Sequence, residues 1–130
     1  MKRGAQALAS YALQDAKASD VGGAGLTNSP RHLAKVRLSV PGPRDRSVAS
    51  FEWQYLSSRT TITGATVTPA SLANVTVNFP FGQAVTGTFQ IRNLLNAQYA
   101  DPGSDEHLSD SIEQNGRTLR VGVRWKLWTP

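Results

Sequence analysis

The sequence predicts an all-β fold, an antiparallel up-and-down meander, on two observations. Apolar and polar residues alternate with period two in about six segments, and the connections between those segments alternate between long and short. Alternation puts one class of side chain on each face of a strand. Connections that alternate in length are expected where the two ends of a set of hairpins meet different surroundings.

The segments fall at 5–15, 31–41, 47–59, 70–79, 84–93 and 117–128. In the first and weakest, Ala7, Ala9, Tyr11 and Leu13 oppose Leu8, Ser10, Ala12 and Gln14. The long stretch from Asp15 to Pro30 follows, with Gly22-Gly23-Ala24-Gly25 inside it, a run that no regular element tolerates. It lacks the Gly-Lys-Ser/Thr ending of a phosphate loop. In the second segment Ala34, Val36, Leu38 and Val40 oppose Lys35, Arg37 and Ser39; the turn-like Pro41-Gly42-Pro43-Arg44-Asp45 ends it. In the third, Ala49, Phe51, Trp53 and Tyr55 oppose Ser50, Glu52, Gln54 and Ser58, with Val48 and Leu56 interrupting the polar side.

After an intermediate connection from Arg59 to Pro69, the fourth segment sets Ala73, Val75, Val77 and Phe79 against Leu72, Asn74, Thr76 and Asn78. Asn74-Val75-Thr76 matches a glycosylation triplet, but a strand is a poor place for one. A short turn is expected at Pro80-Phe81-Gly82-Gln83. In the fifth segment Val85, Phe89 and Ile91 oppose Thr86, Thr88, Gln90 and Arg92. A long connection from Leu94 to Gly116 leads to the clearest segment, where Leu119, Val121, Val123, Trp125 and Leu127 oppose Thr118, Arg120, Gly122, Arg124 and Lys126. A helix would scatter Val121, Trp125, Arg120 and Arg124 around its circumference.

Composition sets outer bounds. A chain of 130 residues, 39% hydrophobic and 18% charged, is one domain at most and is not a disordered polar tract. With no cysteine, disulfides and thiolate metal sites are excluded. The net charge of +5 is spread singly along strands, so nucleic acid is not an expected partner. Met1-Lys2-Arg3 before the apolar stretch Ala7 to Leu13 has the outline of a secretory signal, but Gln6, Ser10 and Gln14 interrupt it and no small-x-small site follows. It is read as a start inside a longer coding sequence.

Alternation of this kind suits either a soluble sandwich or a membrane barrel. Three features favour the barrel. Long charged residues (Lys35, Arg37, Glu52, Arg92, Arg120, Arg124) stand within the polar faces, as a wide aqueous bore allows. Tyr55, Phe79 and Trp125 lie near strand ends, where interfacial aromatics sit. The connections alternate in length. Six strands do not close a membrane barrel, which begins at about eight, so strands from elsewhere are expected to complete it.

Three sequence elements carry a resemblance. They are Leu26-Thr27-Asn28-Ser29-Pro30-Arg31-His32 before the second segment, Asn93-Leu94-Leu95-Asn96-Ala97-Gln98-Tyr99-Ala100-Asp101-Pro102 after the fifth, and Gln114-Asn115-Gly116-Arg117-Thr118-Leu119-Arg120 into the sixth. In order and spacing they resemble the C-terminal stretch of TonB-dependent outer-membrane receptors. The second is similar to that family's Asn-Leu-(Leu/Phe)-(Asn/Asp)-x-x-Tyr motif, the third to its Gly-Arg start of the final strand. The resemblance implies an integral barrel of about 22 strands in a Gram-negative outer membrane, filled by an N-terminal plug. Such receptors import a scarce ligand such as a ferric siderophore, haem or cobalamin.

On this reading the chain is a C-terminal barrel fragment supplying about the last six strands. The plug and the remaining strands are missing partners. The TonB complex is reached only through that missing region, while outer-membrane lipid and the barrel-assembly machinery are partners of the strands. Leu119, Val121, Val123, Trp125 and Leu127 would form the strand read by the assembly machinery. The family's final aromatic is replaced by Leu127 followed by Trp128-Thr129-Pro130. Two further readings stay open: a pore module that closes by oligomerising, and a soluble β-sandwich binding module.

Neither a catalytic grouping nor a cofactor motif is legible. Lys35, Arg37, Arg92, Arg120, Arg124 and Lys126 form the basic set of the polar faces. Of these Arg92, Arg120 and Arg124 are the candidates for contact with an anionic ligand. The connection from Leu94 to Asn115 holds Asp101, Asp105, Glu106, Asp110 and Glu113 with no Lys or Arg, and is expected to be a solvated loop. His107 beside Asp105 and Glu106 falls short of a metal site, which needs three or four converging ligands. His107 is expected to be a polar loop residue, and His32, the second histidine, falls within the second segment. Tyr99 is read as a loop-packing anchor and Trp125 as an outward-facing residue.

Overall fold

The computed structural model describes residues 4–14, 29–103, 106 and 108–127. Met1-Lys2-Arg3, the Gly22-Gly23-Ala24-Gly25 run, the Leu26-Thr27-Asn28 half of the first resemblance element, Asp105 and His107, and Trp128-Thr129-Pro130 lie outside the described residues. The described chain is all-β, with strands β1 (Gln6–Leu13), β2 (His32–Pro41), β3 (Val48–Leu56), β4 (Arg59–Thr60), β5 (Thr66–Val67), β6 (Ala70–Phe81), β7 (Val85–Arg92), β8 (Ala100–Pro102), β9 (Ser111–Glu113) and β10 (Thr118–Trp125). One antiparallel sheet of six strands has the order β1-β2-β3-β6-β7-β10, and β4-β5 and β8-β9 are separate two-stranded hairpins. The sheet is a meander in which each long strand pairs with the next.

The register brings the apolar sets of all six strands onto one face. A single row runs Ala7, Leu38, Phe51, Val75, Ile91 and Leu119. The row beneath it, from β2 to β10, runs Val40, Ala49, Val77, Phe89 and Val121. A slip of one residue at any interface would send one set to the opposite face, and none occurs. Nothing else in the described chain packs on this face. Leu38, Phe81, Phe89, Leu119, Val121, Val123 and Trp125 are exposed, Val121 at 75%. Among the described residues the buried apolar ones are Val67, Ala70 and Ala73, at or near the base of the β4-β5 loop.

The strands are also staggered. From the Ala7–Leu119 row toward the long connections, Ala7 to Leu13 is six residues and Leu119 to Thr118 is one. Across the six strands the offsets are six, six, five, five, one and one, so most of the stagger falls between β6 and β7. The stagger also leaves the end of β6 projecting past β3, whose last partner there is Val48 with Asn78.

That projection moves a turn. Pro80 and Phe81, expected in a turn, continue β6 and pair with Thr86 and Val85. Proline lacks the N–H that a ladder needs and is tolerated on an edge, and β6 has no β3 partner at Pro80. The turn itself is Gly82 to Ala84, with Gly82 at φ +68°. His32 opens β2 on the apolar face, and its Nδ1 lies 2.7 Å from the hydroxyl of Tyr11. Leu127 lies past the last strand residue, Trp125. The connections 57–69 and 93–117 carry the two small hairpins.

Candidate functional site

The polar face is built from the residues opposite the apolar rows. Gln6, Ser39, Ser50, Thr76, Gln90 and Arg120 form one row across all six strands. Cross-strand hydrogen bonds join Ser39 with Ser50 at 3.2 Å, Gln90 to Thr76 at 3.2 Å and Thr88 to Asn78 at 2.8 Å. Arg37 forms an ion pair with Glu52, its register partner. Concavities of the sheet lie on this face. One of about 280 Å³ is lined by Lys35, Arg37, Glu52, Gln54 and Asn74 among others. Another of about 230 Å³ includes Gln54, Asn74, Arg92, Tyr99 and Thr118.

The candidate cations Arg92, Arg120 and Arg124 sit on this face, exposed, opposite Thr118, Gln90 and Thr86. The polar-face positions of β6, β7 and β10 hold no carboxylate, and Glu52 is already engaged by Arg37. Half of the face therefore carries three uncompensated guanidinium groups. Lys35 stands between Ser10 and Gln54, and Lys126 follows β10 with its N–H donating to the Ala84 carbonyl at 2.8 Å. Such a surface attracts anions, and bidentate pairing suits Arg to carboxylate or phosphate.

Where β7 leaves the sheet, the Asn-Leu-Leu-Asn element closes the loop. Asn93 is buried at φ +51°, a conformation asparagine tolerates better than most residues. Its side-chain amide donates to the Ala97 carbonyl at 2.8 Å and to the Asn115 carbonyl at 3.3 Å, and its side-chain oxygen accepts from the Ala97 N–H at 2.9 Å. Its own N–H donates to Asn74 Oδ1 at 3.0 Å, while the Leu94 N–H donates to the Ala73 carbonyl at 2.7 Å. Leu95 is exposed. Asn96, at φ +53°, accepts the Arg117 N–H on Oδ1 at 2.9 Å. A Cβ on Gly116 would stand 2.8 Å from that same oxygen, which is why glycine precedes Arg117. The element and the Gly-Arg start of β10 are thus two halves of one closure.

The two small hairpins dock on each other. Arg59, buried, donates to Asp101 Oδ1 at 2.7 Å and to the Ala100 carbonyl at 2.8 Å. The Thr63 hydroxyl donates to Asp110 Oδ2 at 2.7 Å. Hydrogen bonds from Thr61 and Thr63 hold the Asp110 carboxyl below the usual carboxylate range. For Tyr99, burial, then the nearby Asp101 carboxylate, pushes the phenol up from the ordinary tyrosine value, partly opposed by Arg92 and Arg59. Two of the acidic loop residues are therefore used to tie loops together. Arg59, Thr61 and Thr63 were missed in the sequence because their partners are some 40 residues away and no local spacing marks them.

Among the described residues no group of three or more His, Cys, Asp or Glu could hold a metal ion. No family model, curated protein or solved structure matches the chain.

Proposed function

We propose that the six-stranded sheet is part of the wall of a transmembrane β-barrel, and that the protein is a TonB-dependent outer-membrane receptor for energised uptake of a scarce ligand such as a ferric siderophore, haem or cobalamin. The apolar face meets lipid and the polar face lines the aqueous bore. The protein transports rather than catalyses. Strands beyond these six complete the wall, since β1 and β10 each keep one unpaired edge among the described residues and unsatisfied backbone groups cost several kcal/mol each in hydrocarbon.

The observation that carries this reading is the continuous apolar face with nothing packed on it. Removing one such side chain from water is worth ~1.5–3 kcal/mol, so a face of this extent needs a cover, and lipid is a cover that accepts any shape. Two further observations support it. The concavities are on the polar side, as they are when that side is the inside of a curve. Aromatic residues gather near the two ends of the apolar face: Tyr11, Trp53 and Tyr55 toward the long connections, Phe79, Phe81 and Trp125 toward the turns. The transport role rests on the Asn93–Tyr99 and Gly116–Arg117 resemblance.

The test is to fractionate cells by immunoblot and label the protein in its own membrane with a photoreactive acyl-chain probe. The reading expects an outer-membrane band, with label at Phe51, Trp53 and Val121 and none at Gln54 or Thr76. A cooperatively folded monomer that stays soluble without detergent sinks it. Multimers in which β1 of one copy meets β10 of the next would instead mean closure by oligomerisation.

A further inference from the structure

We infer that the turn end of the sheet carries a binding site for the phosphate of an anionic phospholipid, formed by Arg44 and Arg46. The inference rests on the barrel reading above and adds a specific lipid contact to it.

The site follows from the stagger. Because β6 projects past β3, the β2-β3 turn lies beside the overhang instead of below it. Arg44 uses this: its guanidinium sits over the Phe79 ring, 4.6 Å from the centroid. Phe79 belongs to the apolar face, and its ring meets the exposed Phe81 ring at 5.4 Å between centroids. A cation is therefore held at the border of the apolar surface, with no hydrogen bond from its five N–H donors to any described residue. Arg46 reaches across to the tip of the next turn and donates from Nη2 to the Gly82 carbonyl at 3.0 Å.

Arg46 also stands at φ +66°, where glycine or asparagine is the easier choice. Buried Ser47 holds the turn in this shape: its hydroxyl donates to the Arg44 carbonyl at 2.6 Å, and its own carbonyl accepts from the Gly42 N–H at 3.0 Å. Backbone strain of this kind points to a use for the side chain. The one acid in the turn, Asp45, forms no ion pair with either arginine among the described residues. The Arg44 guanidinium on the half-buried Phe79 ring, next to exposed Phe81, and the Arg46 guanidinium at the Gly82 turn match a lipid whose phosphate sits just outside its acyl chains.

The experiment uses the protein extracted from its own membrane and reconstituted with brominated phosphatidylglycerol or brominated phosphatidylcholine, read by tryptophan quenching. Native protein is expected to prefer phosphatidylglycerol by about fivefold per arginine. Arg44→Gln and Arg46→Gln should each remove their share while quenching by phosphatidylcholine is unchanged, and Arg44→Lys should keep most of it. Equal quenching by both lipids in the native protein overturns the inference and leaves the barrel reading standing. Loss of the preference on adding inorganic phosphate also overturns it, since the site would then take free phosphate. Quenching by neither lipid overturns the barrel reading and this site together.

Discussion

The two faces of this sheet share one backbone and are held in different ways. On the polar face, side chains bond to one another across strands: Ser39 with Ser50, Gln90 to Thr76, Thr88 to Asn78, Arg37 with Glu52. On the apolar face the side-chain hydrogen bonds are confined to one end, where Tyr11 meets His32 and Trp53 Nε1 donates to Ser71 at 2.8 Å. Between the two ends that face offers only hydrocarbon to its surroundings. The difference teaches where stability resides. The polar face carries its own partners, whereas the apolar face depends on whatever covers it.

The sharpest way to break this contrast is an arginine on either side of β10. Val121→Arg puts a charge on the apolar face at the middle of β10 and is expected to cost ~2–4 kcal/mol of folding in a bilayer near mid-depth. Gly122→Arg is expected to cost far less, because a Cβ there meets Thr88 at 3.9 Å, an ordinary contact, and the side chain continues toward the concave side. Folded protein recovered from outer-membrane fractions compares them, and equal recovery would contradict the assigned faces.

Asn93 comes next, at the loop end of the polar face. Asn93→Ala loses the side-chain bonds to Ala97 and Asn115 and strains a backbone at φ +51°. A loss of ~2–3 kcal/mol is expected, against less for Asn93→Gly, which keeps the backbone shape. Urea titration of the reconstituted protein measures both; identical losses would assign the whole effect to the side-chain bonds.

A smaller effect belongs to the ion pair. Arg37 and Glu52 are 61% and 43% exposed, so Glu52→Gln should shift stability by no more than ~1 kcal/mol. A larger loss would mean that the polar face is drier than an aqueous bore. The smallest concerns the loops. Asp110 is held below the ordinary carboxylate value, so its tie to Thr63 is in place above about pH 4 and is lost as the pH falls through the lowered value. Amide exchange in β8-β9 should quicken on acidification, and Thr63→Val should blunt that response.

The sheet was legible in the sequence because alternation is a local property. Each of the six apolar sets could be assigned to a face from its own segment, Leu119 to Trp125 most clearly. The loop contacts were not legible, since Arg59 finds Asp101 and Thr63 finds Asp110 only after six strands have brought two connections together. Nor was the Pro80 misplacement avoidable. Proline reads as a turn unless the neighbouring strand is known to have ended.

Which side chains share a face was contained in the sequence itself, because a period of two acts over a few residues. The folded sheet decided that six faces coincide, that Asn93 and Asn96 reach Asn115 and Arg117, that the strand ends are offset, and that Arg44 and Arg46 meet the overhang of β6. Those depend on register, and register is a relation between strands that no single strand contains.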